Sequence, residues 1–195
     1  MTSPPAVHFA PAALEFVEDA SLTDATAGAI RFFRAPESLC RDLSAGAAAL
    51  PNTPPNSMHR YGKVLLPALK EQIMGIVCAA LSQEDMMRVT HVHAFDITYA
   101  IGDVATAPRM TSLAMHVDES TYTINLCVSD TAFTGCDLVF SGREGADGRV
   151  RVLPREFTYA HKPFHGIVHK GSMQHWVEHL TSGSRESVII WVHLD

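Results

Sequence analysis

Few of the features that mark specialised classes of protein occur in this chain. No apolar run approaches the roughly 20 residues of a membrane-spanning helix, so no membrane partner is expected. The first eleven residues, MTSPPAVHFAP, lack the basic start and apolar stretch of a secretory leader. None of the three asparagines, Asn52, Asn56 and Asn125, opens a glycosylation sequon. Four cysteines, Cys40, Cys78, Cys127 and Cys136, show no close-spaced pairing and sit mostly in or beside apolar runs. Free, reduced thiols in an intracellular, cytoplasmic protein are the expectation. Lys and Arg number 15 against 21 Asp and Glu, giving a net charge of −6, and the basic residues are scattered. That excludes the basic stripe of a duplex-binding surface and argues against nucleic acid as a partner. Internal repeats and low-complexity tracts are missing too, and nothing in the pattern specifies an oligomeric state. The 195 residues therefore read as one domain, with residues 1–88 as helical support and lid loop and residues 89–195 as the core.

What is present is a globular composition, 47% hydrophobic and 18% charged. The first twenty residues read as a tail or irregular arm, and AIRFFR at residues 29–34 has the composition of a short strand. Leu39, Leu43, Ala47 and Leu50 recur at helical spacing behind Pro36, which predicts a helix over residues 35–50 that stops at Pro51. The stretch PNTPPNSMHRYG, residues 51–62, disfavours regular structure and reads as an ordered loop or lid. Leu66, Leu69, Ile73, Ile76 and Leu81 mark one face of a long helix over residues 64–87, with Pro67 in its first turn.

From Val89 onward the pattern changes to short runs bounded by turn residues. Candidate strands cover residues 91–101, 112–118, 122–129, 137–140, 150–153, 157–160, 166–169, 174–180 and 185–194. The fold class that follows is mainly β with flanking helices. Its architecture is a double-stranded β-helix, a cupin-like jelly roll, with the N-terminal helices packed on one sheet. In residues 122–128, Thr123, Asn125 and Cys127 alternate with Tyr122, Ile124, Leu126 and Val128. The large apolar set should face the helices, leaving the small and polar set to the barrel interior.

A polar interior calls for a site, and two stretches supply one: SLAMHVDESTYTIN at residues 112–125 and HWVEHLTSGSR at residues 175–185. His116 and Asp118 share strand parity and can bind one ion together. A third ligand must come from the later histidines, His161, His165, His169, His175 and His179. Two histidines and one carboxylate with open positions are the ligand set of mononuclear non-haem Fe(II) oxygenases. Arg185, behind the turn-forming TSGS, opens the last strand, and a hairpin pairing that strand with the one carrying His175 would let the two residues grip opposite ends of a small dicarboxylate. Arginine suits the free carboxylate of a 2-oxo acid because its planar fork matches both oxygens, and Ser187 on the same side can donate to it as well. His91 and His93 read as ordinary strand positions, Trp176 and Trp191 as core or rim aromatics, and Arg109 as a loop cation.

The run SLAMHVDESTYTINLCVSD, residues 112–130, resembles the 2-oxoglutarate and Fe(II)-dependent oxygenases, in particular the catalytic domain of procollagen lysyl hydroxylases and prolyl hydroxylase-like proteins. Gly135 to Phe140, the His-x-Gly at His169 to Gly171 and the spacing from His175 to Arg185 extend the likeness over about the C-terminal half. The resemblance implies His116, Asp118 and His175 as iron ligands, with His179 as the alternative distal ligand. It implies Arg185 as the anchor of the far carboxylate of 2-oxoglutarate, with Asn125 and Tyr99 in the cosubstrate pocket. The pair Arg185 and Ser187 is more like other branches of the superfamily than the lysyl hydroxylases.

The implied cofactors are Fe(II), the cosubstrate 2-oxoglutarate and O2, with ascorbate as a candidate reductant. The implied reaction is hydroxylation of a C–H bond in a protein side chain, Lys or Pro, in a free amino acid or in another small molecule, coupled to conversion of 2-oxoglutarate to succinate and CO2. Two competing readings are a catalytically silent jelly-roll module that binds a metal or a small acid, and a zinc hydrolase. The hydrolase leaves Arg185 without a task and offers no general base beside the ligands. Residues 51–62 and 102–111 are the expected rim of the site.

Overall fold

The computed structural model describes residues 9–51, 62–101, 110–142 and 153–195. In chain order its elements are β1 (Glu15–Phe16), α1 (Ala20–Thr26), β2 (Arg31–Arg34), α2 (Glu37–Ala49), α3 (Lys70–Ala80), α4 (Gln83–Met87) and β3 (Val89–Ala100). They continue with β4 (Leu113–His116), β5 (Tyr122–Cys127), β6 (Thr134–Gly135), β7 (Leu138–Phe140), β8 (Phe157–Tyr159), β9 (His165–Lys170), β10 (His175–Val177), β11 (Leu180–Ser182) and β12 (Ser184–Leu194). One sheet runs β1-β2-β9-β5-β12-β3, a second runs β4-β10-β7-β8, and β11 pairs with β6. This is the double-sheeted jelly roll with helices that the sequence predicts.

Two apolar cores follow from strand alternation. On one side of the larger sheet, Ile124, Leu126 and Val128 join Val188, Ile190 and Val192 and pack against Leu43 of α2 and Ile73, Ile76 and Val77 of α3. Between the sheets, Ile97, Tyr99, Ile167 and Ile189 meet Leu138, Phe140 and Val177 of the smaller sheet. β5 and β12 are therefore covered on both faces. Thr123 and Asn125 point inward as the alternation requires.

Several sequence expectations are corrected. The long helix of residues 64–87 is two helices preceded by extended chain. Val64 bridges to Phe95, and Leu65 donates its N–H to Ala94, so that stretch extends the sheet. Ser82 breaks the second half by accepting from the Asp85 N–H at 3.0 Å, an N-cap that starts a new helix. Helix α2 begins at Glu37, with Pro36 in its N-cap position. The expected arm contains β1, an edge strand on β2. Asp19 caps α1 by accepting from the Ser21 N–H at 2.8 Å, a local cap that the sequence reading passed over.

The expected strand over residues 174–180 is two strands in different sheets, β10 and β11. The hairpin between the strands of His175 and Arg185 does not form: β10 pairs with β4 and β7, whereas β12 pairs with β3 and β5. The TSGS segment links β11 to β12 instead, with Gly183 in the left-handed region at φ 76°. Most of the expected loops at residues 51–62 and 102–111, together with Arg109 and residues 150–152, lie outside the described residues. No described helix is long and apolar enough to cross a membrane. All four cysteines are free thiols.

Candidate metal centre

His116 closes β4, and its register partner across the antiparallel ladder is His175 on β10. The pairing brings the two imidazoles together, with ring centroids 4.3 Å apart and the planes tilted by 55°. Each ring is oriented from behind: Nδ1 of His116 lies 2.8 Å from the Ala114 carbonyl and Nδ1 of His175 lies 2.9 Å from the Met173 carbonyl. When Nδ1–H donates to those oxygens, each Nε2 keeps its lone pair for an ion.

Asp118 lies two residues past His116, beyond the end of β4, where its own N–H donates to the Gly171 carbonyl at 2.9 Å. Gly171 is a forced choice, because a Cβ there would meet the Ser120 carbonyl oxygen at 2.3 Å. One carboxylate oxygen accepts from Thr123 Oγ1 at 2.6 Å. The other lies 3.5 Å from His116 Nε2, and His175 Nε2 is 3.8 Å from the carboxylate. An ion about 2.1 Å from each ligand can bridge gaps of up to about 4.2 Å, so these separations suit a metal. His116, Asp118 and His175 form the one such cluster among the described residues. His179 is exposed, and its Nδ1 engages Thr111 Oγ1 at 3.2 Å, away from the cluster.

Electrostatics prepare the cluster for a cation. Burial opposes ionisation of Asp118, but the contact with His116, the nearby His175 and His169 and the Thr123 hydroxyl outweigh it and bring its carboxyl down to about 2. Burial, then the neighbouring His169, depress His175 to about 4, which keeps it neutral and able to ligate. Burial likewise disfavours protonation of His116, but its bond to Asp118 prevails and shifts it upward. His169 sits just behind, its ring 5.0 Å from that of His175, with Nδ1 on the Lys170 carbonyl and Nε2 without a partner.

The cluster opens into a cavity of about 690 Å3, within the range of small-molecule sites. Its walls include Phe95, Ile97, Leu113, Val117, Ile189 and Trp191, with Tyr99 and Asn125 among the polar groups. Phe95 and Trp191 meet edge to face at 5.3 Å and 87°. Trp191, read from sequence as core or rim, is a wall residue here.

Arg185 is fully buried on β12, register partner of Tyr99, with its guanidinium 5.2 Å from the centre of that ring. Its Nε donates to Ser187 Oγ at 3.1 Å and its Nη1 to the Cys136 carbonyl at 2.6 Å. Nη2 has no partner, and among the described residues no carboxylate pairs with the guanidinium. A buried cation left this way costs free energy until an anion arrives. The donor set of the cluster and this orphaned guanidinium both fit a divalent metal with a dicarboxylate beside it. Sequence reasoning named Arg185, Ser187, Tyr99 and Asn125. It missed the Thr123 bond to Asp118, for which the shared inward parity of Thr123 and Asn125 was the available signal.

No family model matches the chain. A 2-oxoglutarate and iron-dependent oxygenase domain-containing protein of Arabidopsis thaliana, ICU11, is 28% identical over 149 residues, 70% of this chain and 36% of that protein. The chain thus spans about a third of the length of this curated relative. Among solved structures, a prolyl-4-hydroxylase of Pseudomonas putida superposes with a TM-score of 0.58 at 17% identity, covering 97% of each chain. The non-heme alpha ketoglutarate dependent epimerase SnoN from nogalamycin biosynthesis gives 0.59 at 14% identity, covering 90% of this chain and 84% of that one. The likeness to 2-oxoglutarate and iron-dependent oxygenases is borne out and the fold is theirs. These relatives do not single out the lysyl hydroxylases.

Proposed function

We propose that this chain is the catalytic domain of a 2-oxoglutarate- and Fe(II)-dependent dioxygenase that hydroxylates a C–H bond of a protein side chain or free amino acid. The observation that carries the reading is a buried Arg185, without a carboxylate partner among the described residues, whose charge reaches the same cavity-lining Tyr99 as that of Asp118 in the histidine, aspartate and histidine cluster. With iron and 2-oxoglutarate bound, the chemistry supplied is oxidative: one oxygen atom of O2 enters the substrate C–H bond, the other enters succinate, and CO2 leaves.

His116, Asp118 and His175 would hold the metal, as a two-histidine, one-carboxylate set does in non-haem Fe(II) oxygenases. Thr123 fixes the Asp118 carboxylate by donating to it. Arg185 takes the far carboxylate of the cosubstrate through Nη2, while Ser187 and the Cys136 carbonyl hold the fork in plane. A divalent cation, the Asp118 carboxylate, a dianionic cosubstrate and the guanidinium sum to neutrality, which removes the cost of burying Arg185. Tyr99 and Asn125 border the cosubstrate, and the apolar walls exclude water from the reacting carbon.

The cavity walls are largely apolar and aromatic apart from Asp96, Asp118 and Glu119, and the fold neighbour named for prolyl hydroxylation makes prolyl peptides the first substrates to try. Ascorbate would serve as reductant in such assays. The test is succinate release from Fe(II)-loaded protein over prolyl and lysyl peptides and free amino acids, with mass analysis of each product for one added oxygen. Asp118→Ala should abolish succinate formation. Turnover preserved in that variant, or a wild-type protein that does not bind 2-oxoglutarate, would overturn the reading.

A further inference from the structure

His161 follows β8 and is only 6% exposed, yet neither of its ring nitrogens completes a hydrogen bond. Buried polar side-chain atoms nearly always find a partner, and a ring with both nitrogens empty calls for one. The ring packs edge-on against Tyr159, with centroids 4.9 Å apart at 74°. Its polar surroundings are specific. The positive charge of Arg185 acts directly on it, as does His165, and the Asn125 main chain lies near enough to favour its protonated form without closing a bond of normal geometry. Tyr159, whose hydroxyl burial pushes upward, also feels the Arg185 charge.

Nη2 of Arg185, Oδ1 of Asn125 and both nitrogens of His161 are all buried and orphaned, and the Arg185 charge and the Asn125 main chain both reach the His161 ring. Burial first, and then the repulsion of Arg185, hold the imidazole in its neutral form. A neutral imidazole carries one N–H donor and one acceptor, so it adds a donor beside the guanidinium without adding like charge. His161 lies outside both chemistry-bearing stretches, and the metal cluster makes no use of it.

Resting on the reading of Arg185 as the anchor of the cosubstrate, we propose that His161 is a second contact to the far carboxylate and sets the preference for a dicarboxylic cosubstrate. Its ring N–H hydrogen-bonds a carboxylate oxygen alongside Arg185. A 2-oxo acid ending in a methyl group leaves both donors unpaired, so discrimination comes from the penalty of burying them unsatisfied.

The experiment is anaerobic titration of the Fe(II)-loaded full chain with 2-oxoglutarate and with 2-oxopentanoate, which has a methyl group in place of the far carboxylate. The metal-centred absorption change reports binding without turnover. His161→Phe should weaken 2-oxoglutarate by about tenfold and leave 2-oxopentanoate unchanged. His161→Gln, which restores a donor, should recover most of that loss. Unchanged 2-oxoglutarate affinity in His161→Phe, or an equal loss for both acids, would overturn the role of His161. If wild-type protein binds neither acid, the cosubstrate assignment itself fails, which is a different result from a wild type that binds and a variant that does not discriminate.

Discussion

At the scale of single residues, Arg185 is the most demanding position in the molecule. Among the described residues it is buried without a counter-charge, an arrangement that costs stability when no anion is present. Arg185→Met should therefore leave the ligand-free protein as stable as the wild type or more so, while 2-oxoglutarate affinity falls by about a hundredfold, the loss of a charge-assisted contact of about 3 kcal/mol. Thermal unfolding with and without 2-oxoglutarate checks both halves, and a destabilised ligand-free variant would contradict the account. Thr123 poses the converse case, since it is not one of the three metal ligands and acts through the Asp118 carboxylate it donates to. Thr123→Val should weaken metal binding by about tenfold with the fold intact, measured by anaerobic Fe(II) titration. An unchanged affinity would mean that Asp118 is held well enough by its backbone bond to Gly171.

Among the elements, the turn after β9 has the most leverage. Gly171 accepts from the Asp118 N–H and donates to the Thr121 carbonyl at 3.2 Å, stitching this turn to the segment that carries the carboxylate. A methyl group there would sit 2.3 Å from both the carbonyl oxygen and the hydroxyl of Ser120, so one of the two segments must move. Gly171→Ala should cost metal affinity more than it costs stability, because the displaced segment is short while the sheets around it are intact. Comparing Fe(II) affinity with denaturant midpoint separates the two, and a large stability loss with normal metal binding would refute the claim. The His-x-Gly of this turn was visible in the sequence as part of a resemblance. Its reason, close approach to Ser120, belongs to a contact between residues 51 positions apart that no local pattern encodes.

For the whole molecule, the interior is stocked with neutral histidines. His175 is depressed to about 4 from 6.5, chiefly by burial, and His161 and His169 shift in the same direction for the same cause. A folded state that refuses protons the unfolded chain accepts loses stability as pH falls through the interval between the two values. The metal-free protein should thus be most stable above pH 6.5 and lose about 3 kcal/mol from His175 alone as pH falls to about 4. His116, shifted upward by Asp118, works against this trend. Asp118, depressed from 3.8 to about 2, adds a further loss only below about pH 4. Unfolding midpoints between pH 8 and pH 4 measure the slope, and a flat profile over that interval would refute it.

The sequence by itself determined the local alternations. Period two along residues 122–128 assigned Thr123 and Asn125 to the interior and Ile124 and Leu126 to the helices, and the shared parity of His116 and Asp118 put both toward one side. These are properties of neighbouring residues, so a strand carries them whatever it pairs with. Only the tertiary structure decided which late histidine meets His116, because that depends on β10 pairing with β4 in a register that sets His175 opposite it. The same pairing set aside the expected hairpin with Arg185. Sheet closure, not sequence distance, then brought the Arg185 charge and the Asn125 main chain to the His161 ring, since strand partners are chosen by where apolar faces can be covered across the whole chain.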